Sequence, residues 1–174
     1  MIPLHIIAAM SENRVIAQNG RIPWHLPDDI QHFRAQCAGR WLLLGRETWE
    51  QMQGWFQLDH HPLVLSHRAL TPGSGIRVAS IPQARSLAAD GGADRLMVLG
   101  GGQVFAAALP VASEVWLTTV RAIFQGQVHF PTLDDDWLLG GSENHPADAR
   151  HAYSFTIERY IHRIPPCLSS VPVD

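Results

Sequence analysis

With 174 residues the chain has the length of one ordinary domain, enough to bury on the order of 70% of its unfolded surface. A hydrophobic fraction of 46%, six tryptophans and a net charge of −3 describe a compact globular protein and exclude a disordered chain or a basic nucleic-acid-binding surface. All 13 basic residues are arginine, so lysine Schiff-base chemistry is excluded, and an anion site must be built from guanidinium forks, histidines, hydroxyls or backbone N–H groups.

In chain order, the opening MIPLHIIAAM lacks the positive start and small-residue cleavage pattern of a secretion signal, and residues 4–10 read as a buried strand. No run reaches the roughly 18 apolar residues of a membrane-spanning helix. Residues 11–24 carry Asn13, Asn19, Gly20 and Pro23 without a regular period, and a connection of that length in a compact domain is usually functional. Helical patterns or start signals follow at residues 27–38, 47–53, 82–89 and 102–109, and short apolar runs at 41–44, 63–66, 96–99 and 115–120 read as strands. This alternation predicts an α/β fold, a single domain with a mainly parallel sheet and helices on both faces. Residues 151–160 alternate apolar and polar, which predicts a half-exposed antiparallel edge strand at the C-terminus. The domain is expected over 1–160, with 161–174 a loose Pro-rich tail. Cys37 and Cys167 lie too far apart in sequence to suggest a disulfide framework or metal pair, so no metal is expected and a reducing cytoplasm fits.

The segment GRIPWHLPDDIQHF carries two adjacent acids behind a proline. Pro27 suits the first helical position, and acids in the first turn complement the helix dipole. That accounts for Asp28. Asp29 differs, because its i,i+4 spacing to Phe33 and the i,i+3 spacing of Ile30 to Phe33 set it on the border of the apolar stripe. A carboxylate turned inward costs several kcal/mol without a partner, and the helix offers no arginine on that face. A flat heterocycle with an amidine-like N–H pair would satisfy both oxygens, with Ile7, Ile30 and Phe33 as walls.

Three further segments end strands: Gly45-Arg46 with Thr48 nearby, Ser66-His67-Arg68, and the Gly100-Gly101-Gly102 triplet that opens a helix. Each alone is a polar strand end, and the triplet lacks the G-x-G-x-x-G spacing. In a parallel sheet all three reach the same carboxyl edge, where two arginines and two hydroxyls would suit a multiply phosphorylated cofactor.

The blocks IIAAMSENRVIAQNGRIPWHLPDDIQHFR, LLLGRETWEQM, LVLSHR, LMVLGGGQVF, VWLTTV, VHFP and AYSFTIERY resemble, in order over residues 1–160, the dihydrofolate reductase family. The resemblance implies an eight-stranded, mainly parallel sheet with about four helices, and NADPH-dependent reduction of 7,8-dihydrofolate to tetrahydrofolate by a monomer. It places Asp29 as the acid that grips the pterin 2-amino group and N3, with Trp24 orienting a water and Thr118 holding the network. Ile7, Ala9, Ile30, Phe33, Met52, Leu58, Leu99 and Phe105 fall at substrate-binding positions. Cofactor positions fall on Ala9, Ile16, Asn19, Gly20, Gly45, Arg46, Glu47, Thr48, Ser66, His67, Arg68 and the run Gly100, Gly101, Gly102, Gln103 and Val104. The Gly100–Gly101 peptide is cis in such proteins, residues 11–24 are a lid, and diaminopyrimidine antifolates such as trimethoprim pair with the acid.

The sequence also departs from the pattern. The arginine that pairs with the folate glutamate tail is replaced in LDHHPLVLS by His60 or His61, so tail binding is expected to be weaker and pH-sensitive unless Arg34 substitutes. Phe105 stands where many relatives have tyrosine, and Gln127 where a relative's aspartate holds the lid. Two other readings are a riboflavin-pathway pyrimidine reductase of the same fold, which lacks the acid at position 29, and a non-catalytic pterin- or nucleotide-binding module.

Overall fold

The computed structural model describes residues 1–70, 73 and 75–163. Cys167 and nearly all of the sequence assigned to a tail lie outside the described residues.

The elements follow in the order β1 (Leu4–Ser11), β2 (Val15–Ala17), α1 (Pro27–Cys37), β3 (Trp41–Gly45), α2 (Arg46–Gln51), β4 (His61–Leu65), β5 (Ile76–Val78) and α3 (Ile81–Asp90). After them come β6 (Leu96–Gly100), α4 (Gly102–Ala108), β7 (Glu114–Val120), β8 (Val128–His129), β9 (Trp137–His145) and β10 (Phe155–His162). Eight strands form one sheet in the order β5-β4-β3-β6-β1-β7-β10-β9, and β2 pairs with β8 outside it. The six strands from β5 to β7 run parallel, while β10 is antiparallel to both β7 and β9.

Nearly continuous apolar runs produce this arrangement because both faces of the central strands are covered. One face carries Leu4, Ile6, Leu43, Leu63 and Val98 against α3 and α4, through Ala84, Ala88, Val104 and Ala108. The alternate residues Ile7, Leu42, Leu44, Val64 and Met97 pack on the other face with Cys37 of α1 and Trp49 of α2. Burial raises the Cys37 thiol to about 12, so it behaves as a small apolar side chain.

The main elements match the expected ones within a few residues, and four differences have physical causes. The strand expected over 63–66 begins earlier, at His61. The His61 N–H donates to Arg40 O on the β3 side, so Pro62 turns its missing donor toward β5, whose pairing starts only at Leu63. The strand expected at 151–160 runs instead over Phe155–His162, and it is interior rather than an edge. Three successive residues, Phe155, Thr156 and Ile157, are buried because β7 and β9 flank the strand. The edge is β9, whose WLLGGSENH mixes glycines and polar residues without a period. Finally, β2, β5 and β8 are too short to leave a periodic signal.

The supposed loop 11–24 is therefore partly structured. Beside the β2–β8 pairing, Asn13 Nδ2 donates to Phe124 O at 2.8 Å and Asn13 Oδ1 accepts from Phe124 N at 3.2 Å, while Arg14 Nη1 donates to Phe130 O at 3.0 Å. These bonds tie the segment to residues 120–130 without a contribution from the Gln127 side chain among the described residues.

Candidate active site

Parallel strands deliver their C-terminal residues to one edge of the sheet. Gly45 and Arg46 leave β3, Ser66, His67 and Arg68 follow β4, and the glycine triplet ends β6. All of these residues except the buried Gly100 line, with Glu47, Thr48, Gln103 and Val104, a cavity of about 570 Å³. Leu65 and Val128 complete its wall. Neither was expected from the sequence, since an apolar strand end and a two-residue strand carry no ligand signal.

The donor set suits a phosphorylated cofactor. Arg46 is partly neutralised by Glu50 at 2.7 Å, whereas His67 and Arg68 are exposed and form no ion pair among the described residues. Ser66 Oγ accepts from Arg68 N at 3.1 Å and donates to Arg68 O at 2.9 Å, which folds the segment into a tight turn at the cavity rim. The Gly100–Gly101 peptide is cis. Gly100 has φ +110°, and a Cβ there would lie 2.9 Å from the Phe105 ring, so no side chain fits. A Cβ on Gly101 would come to 3.3 Å from Thr48 Oγ1, which narrows the space between β6 and α2 that the bare backbone leaves open.

β1 lies between this cavity and Asp29. Ala9 stands in register with Thr118 of β7, and Thr118 Oγ1 donates to Asp29 Oδ1 at 2.6 Å. No guanidinium pairs with Asp29 among the described residues. Burial raises the Asp29 carboxyl above its ordinary value, while the Thr118 hydroxyl and the charge of His145 act in the opposite direction. An acid placed in this way is costly in the folded protein without its ligand. Asp29→Asn is therefore expected to raise the melting temperature at neutral pH. The folded-state value lies above the unfolded one, so the wild type loses stability as pH rises between the two. The advantage of the variant should shrink as pH falls back through that window, which thermal denaturation across acidic and neutral buffers would show.

Ile7 and Leu99 are buried beneath α1 and α2, with Phe33 and Met52 half-buried against them. Ile30 is half-buried one residue beyond Asp29. Trp24 is buried with its ring 5.3 Å from Phe124. Other expected residues fall elsewhere. Phe105 packs on Phe130 at 5.2 Å in the core of the opposite sheet face, because α4 turns its apolar side inward. Leu58 is fully exposed in the turn after α2. Ile16 is buried in β2, while Asn19 and Gly20 are exposed in the left-handed turn between Gln18 and Arg21.

The two histidines separate. His61 stacks on Trp41 at 4.8 Å at the N-terminal end of β4, away from the ligand edge. His60 shares a second cavity, of about 390 Å³, with Arg34, Trp55, Gln57 and Asp59. Its ring stacks on Trp55 at 4.6 Å, and its Nδ1 accepts from Gln57 N at 2.9 Å, which leaves the Nε2 side as the donor.

The family model described as dihydrofolate reductase matches residues 3–162. The chain is 35% identical over 153 residues to dihydrofolate reductase type 3 of Salmonella typhimurium, covering 87% of this chain and 93% of that protein. It is 28% identical over 160 residues to dihydrofolate reductase of Bacillus subtilis, covering 90% and 93%. Among solved structures, dihydrofolate reductase from Enterococcus faecalis complexed with NADP(H) and RAB-propyl superposes with a TM-score of 0.82 at 25% identity, covering 93% of this chain and 97% of that one.

Proposed function

The chain belongs to the dihydrofolate reductase family and its activity is NADPH-dependent reduction of dihydrofolate; we propose that Asp29 is the acid on which that activity turns. The observation that carries the assignment is a half-buried carboxylate bound to a threonine hydroxyl and free of any guanidinium among the described residues, across β1 from the Gly101-lined cavity. Both Asp29 oxygens face the N–H pair formed by the pterin 2-amino group and N3, a two-point contact that fixes the ring's orientation. Burial raises its pKa, the direction that favours passing a proton toward the ring nitrogen that must receive one, with Trp24 screening the acid and ordering water beside it. NADPH supplies the hydride when bound. Arg46, Ser66, His67 and Arg68 would hold its 2′-phosphate, and Thr48 and Gly101 to Val104 its pyrophosphate. Ala9, between the two subsites on β1, would lie against the bound cofactor and substrate. Loss of NADPH absorbance on adding dihydrofolate tests the assignment directly. Its absence would leave the chain a binding module.

The glutamate tail falls to the cavity of Arg34 and His60. Arg34 brings a permanent fork there, whereas His60 has committed Nδ1 to a backbone N–H and offers one donor. Arg34→Ala should raise the dihydrofolate KM by on the order of 10-fold or more at unchanged kcat, and His60→Ala by less. The wild-type KM should stay flat through the range in which a free histidine titrates. A KM that climbs steeply there would make His60 the tail's main cation.

The protein acts as a monomer in the cytoplasm on this reading. No helix among the described residues is long and apolar enough to cross a membrane.

A further inference from the structure

Beyond the residues placed around the ligands, we infer that His151 is a positioning residue for Asp29, acting as the cap that α1 lacks in its own sequence. Leu26 occupies the N-cap and has no side-chain acceptor for the first N–H groups of the helix. Pro27 has no N–H, and the next one, Asp28 N–H, is accepted by His151 Nε2 at 3.2 Å. His151 reaches it from the connection between β9 and β10 and is 2% exposed. Its tautomer follows from its partners. Nε2 accepts, so Nδ1 carries the proton and donates to Asp148 Oδ1 at 2.8 Å. Asp148 Oδ1 also accepts from the backbone N–H groups of Arg150 and His151, each at 2.8 Å, so the carboxylate that orients the ring is itself fixed.

The adjacent charges divide by exposure. The Asp28 carboxylate pairs with Arg150, lies 3.6 Å from His151 Nε2 and 4.0 Å from His145 Nδ1. The Arg150 side chain is 61% exposed, and an ion pair so open to water contributes little. The buried imidazole carries the link.

The consequence for catalysis is geometric. β10 pairs with β7, and Thr118 of β7 stands opposite Ile157 of β10. The hydroxyl that grips the Asp29 carboxylate therefore sits on β7, and the imidazole that anchors the backbone one residue before it sits on the connection leading into β10, the strand paired with β7. Asp29 is held at two points, and losing the His151 anchor frees the first turn of α1 to move off Thr118. The remaining charged or titratable groups about Asp29 are His32 on α1, Asp28 beside it, and Glu143 and His145 on β9. His145 stacks on Phe155 at 4.5 Å, with Nε2 3.1 Å from Glu143 Oε1 but off the line of a hydrogen bond.

This inference rests on Asp29 being the ligand-binding acid, and it is tested by comparing variants once wild-type turnover is in hand, so a wild type that fails to reduce dihydrofolate overturns that reading and not this one. His151→Leu removes the acceptor, while His151→Gln returns an oxygen acceptor at the Nε2 position. In His151→Leu the single-turnover hydride rate and the affinity for a 2,4-diaminopyrimidine should each fall about 10-fold, with NADPH affinity unchanged. Loss of the Thr118 contact removes one of the influences holding Asp29 down, so the midpoint of the rate–pH profile should move upward. His151→Gln should restore rate, affinity and midpoint most of the way. A wild-type rate and midpoint in His151→Leu would overturn the assignment. So would equal damage in both variants accompanied by loss of NADPH binding, which would mark His151 as a general support of the fold.

Discussion

Asp29→Asn is expected to lower dihydrofolate turnover at neutral pH by on the order of 10²-fold or more while leaving NADPH affinity at the wild-type level. The amide keeps the shape and one acceptor, so the Thr118 hydroxyl still has a partner. It loses the second anionic oxygen, and with it the two-point grip on the pterin N–H pair and the exchangeable proton. The proposed NADPH cavity is formed by the ends of β3, β4 and β6 with the starts of α2 and α4, and no residue of α1 lines it. Pre-steady-state hydride transfer and a separate NADPH titration would divide the two effects. Wild-type turnover in the variant would remove Asp29 from the mechanism, and parallel loss of cofactor binding would mean that the helix itself had failed.

Trp49→Ala should cost about 3–5 kcal/mol of stability, a large share of the roughly 5–15 kcal/mol typical of a domain. Trp49 is fully buried among Leu42, Leu44, Val64 and Met97, and no other fully buried side chain among the described residues is larger. Its indole N–H has no partner among the described residues, and the loss is mainly one of packing. Trp49→Phe should cost less than half as much, because a ring remains to fill the space. Function should follow, since Trp49 fixes α2 and the first turn of α2 presents Arg46, Glu47 and Thr48 to the cofactor cavity. Denaturant titrations with and without NADPH would show weaker protection of Trp49→Ala by the cofactor. An unchanged midpoint would show that the space under α2 can collapse.

Much of this was legible in the sequence because the signals were local or periodic. Buried-strand runs, the Pro27 helix start and the position of Asp29 on the edge of an apolar stripe are properties of neighbouring residues, and the alternation of strand and helix fixes a parallel sheet whose carboxyl edge gathers residues 45–48, 66–68 and 101–104. The order of blocks along the chain supplied the family and, through it, the pairing of Asp29 with Thr118, which are 89 positions apart.

Other features depend on which distant segments meet, and no local pattern encodes that. The separation of His60 from His61 follows from α2's turn ending where β4 begins, so one ring stacks on Trp55 and the other on Trp41. β9 was invisible because an edge strand with one face in water needs no apolar period, and β10 looked half-exposed because its second neighbour was unknown. Asp28, explained locally by the helix dipole, also meets Arg150, His145 and His151 from the far end of the chain. Sequence determined which residues must be buried and which acid would need a partner, since those are costs each residue carries alone. Tertiary structure decided who the partners are, because hydrogen bonds and ion pairs act over a few ångströms and depend on where the sheet brings the chain together.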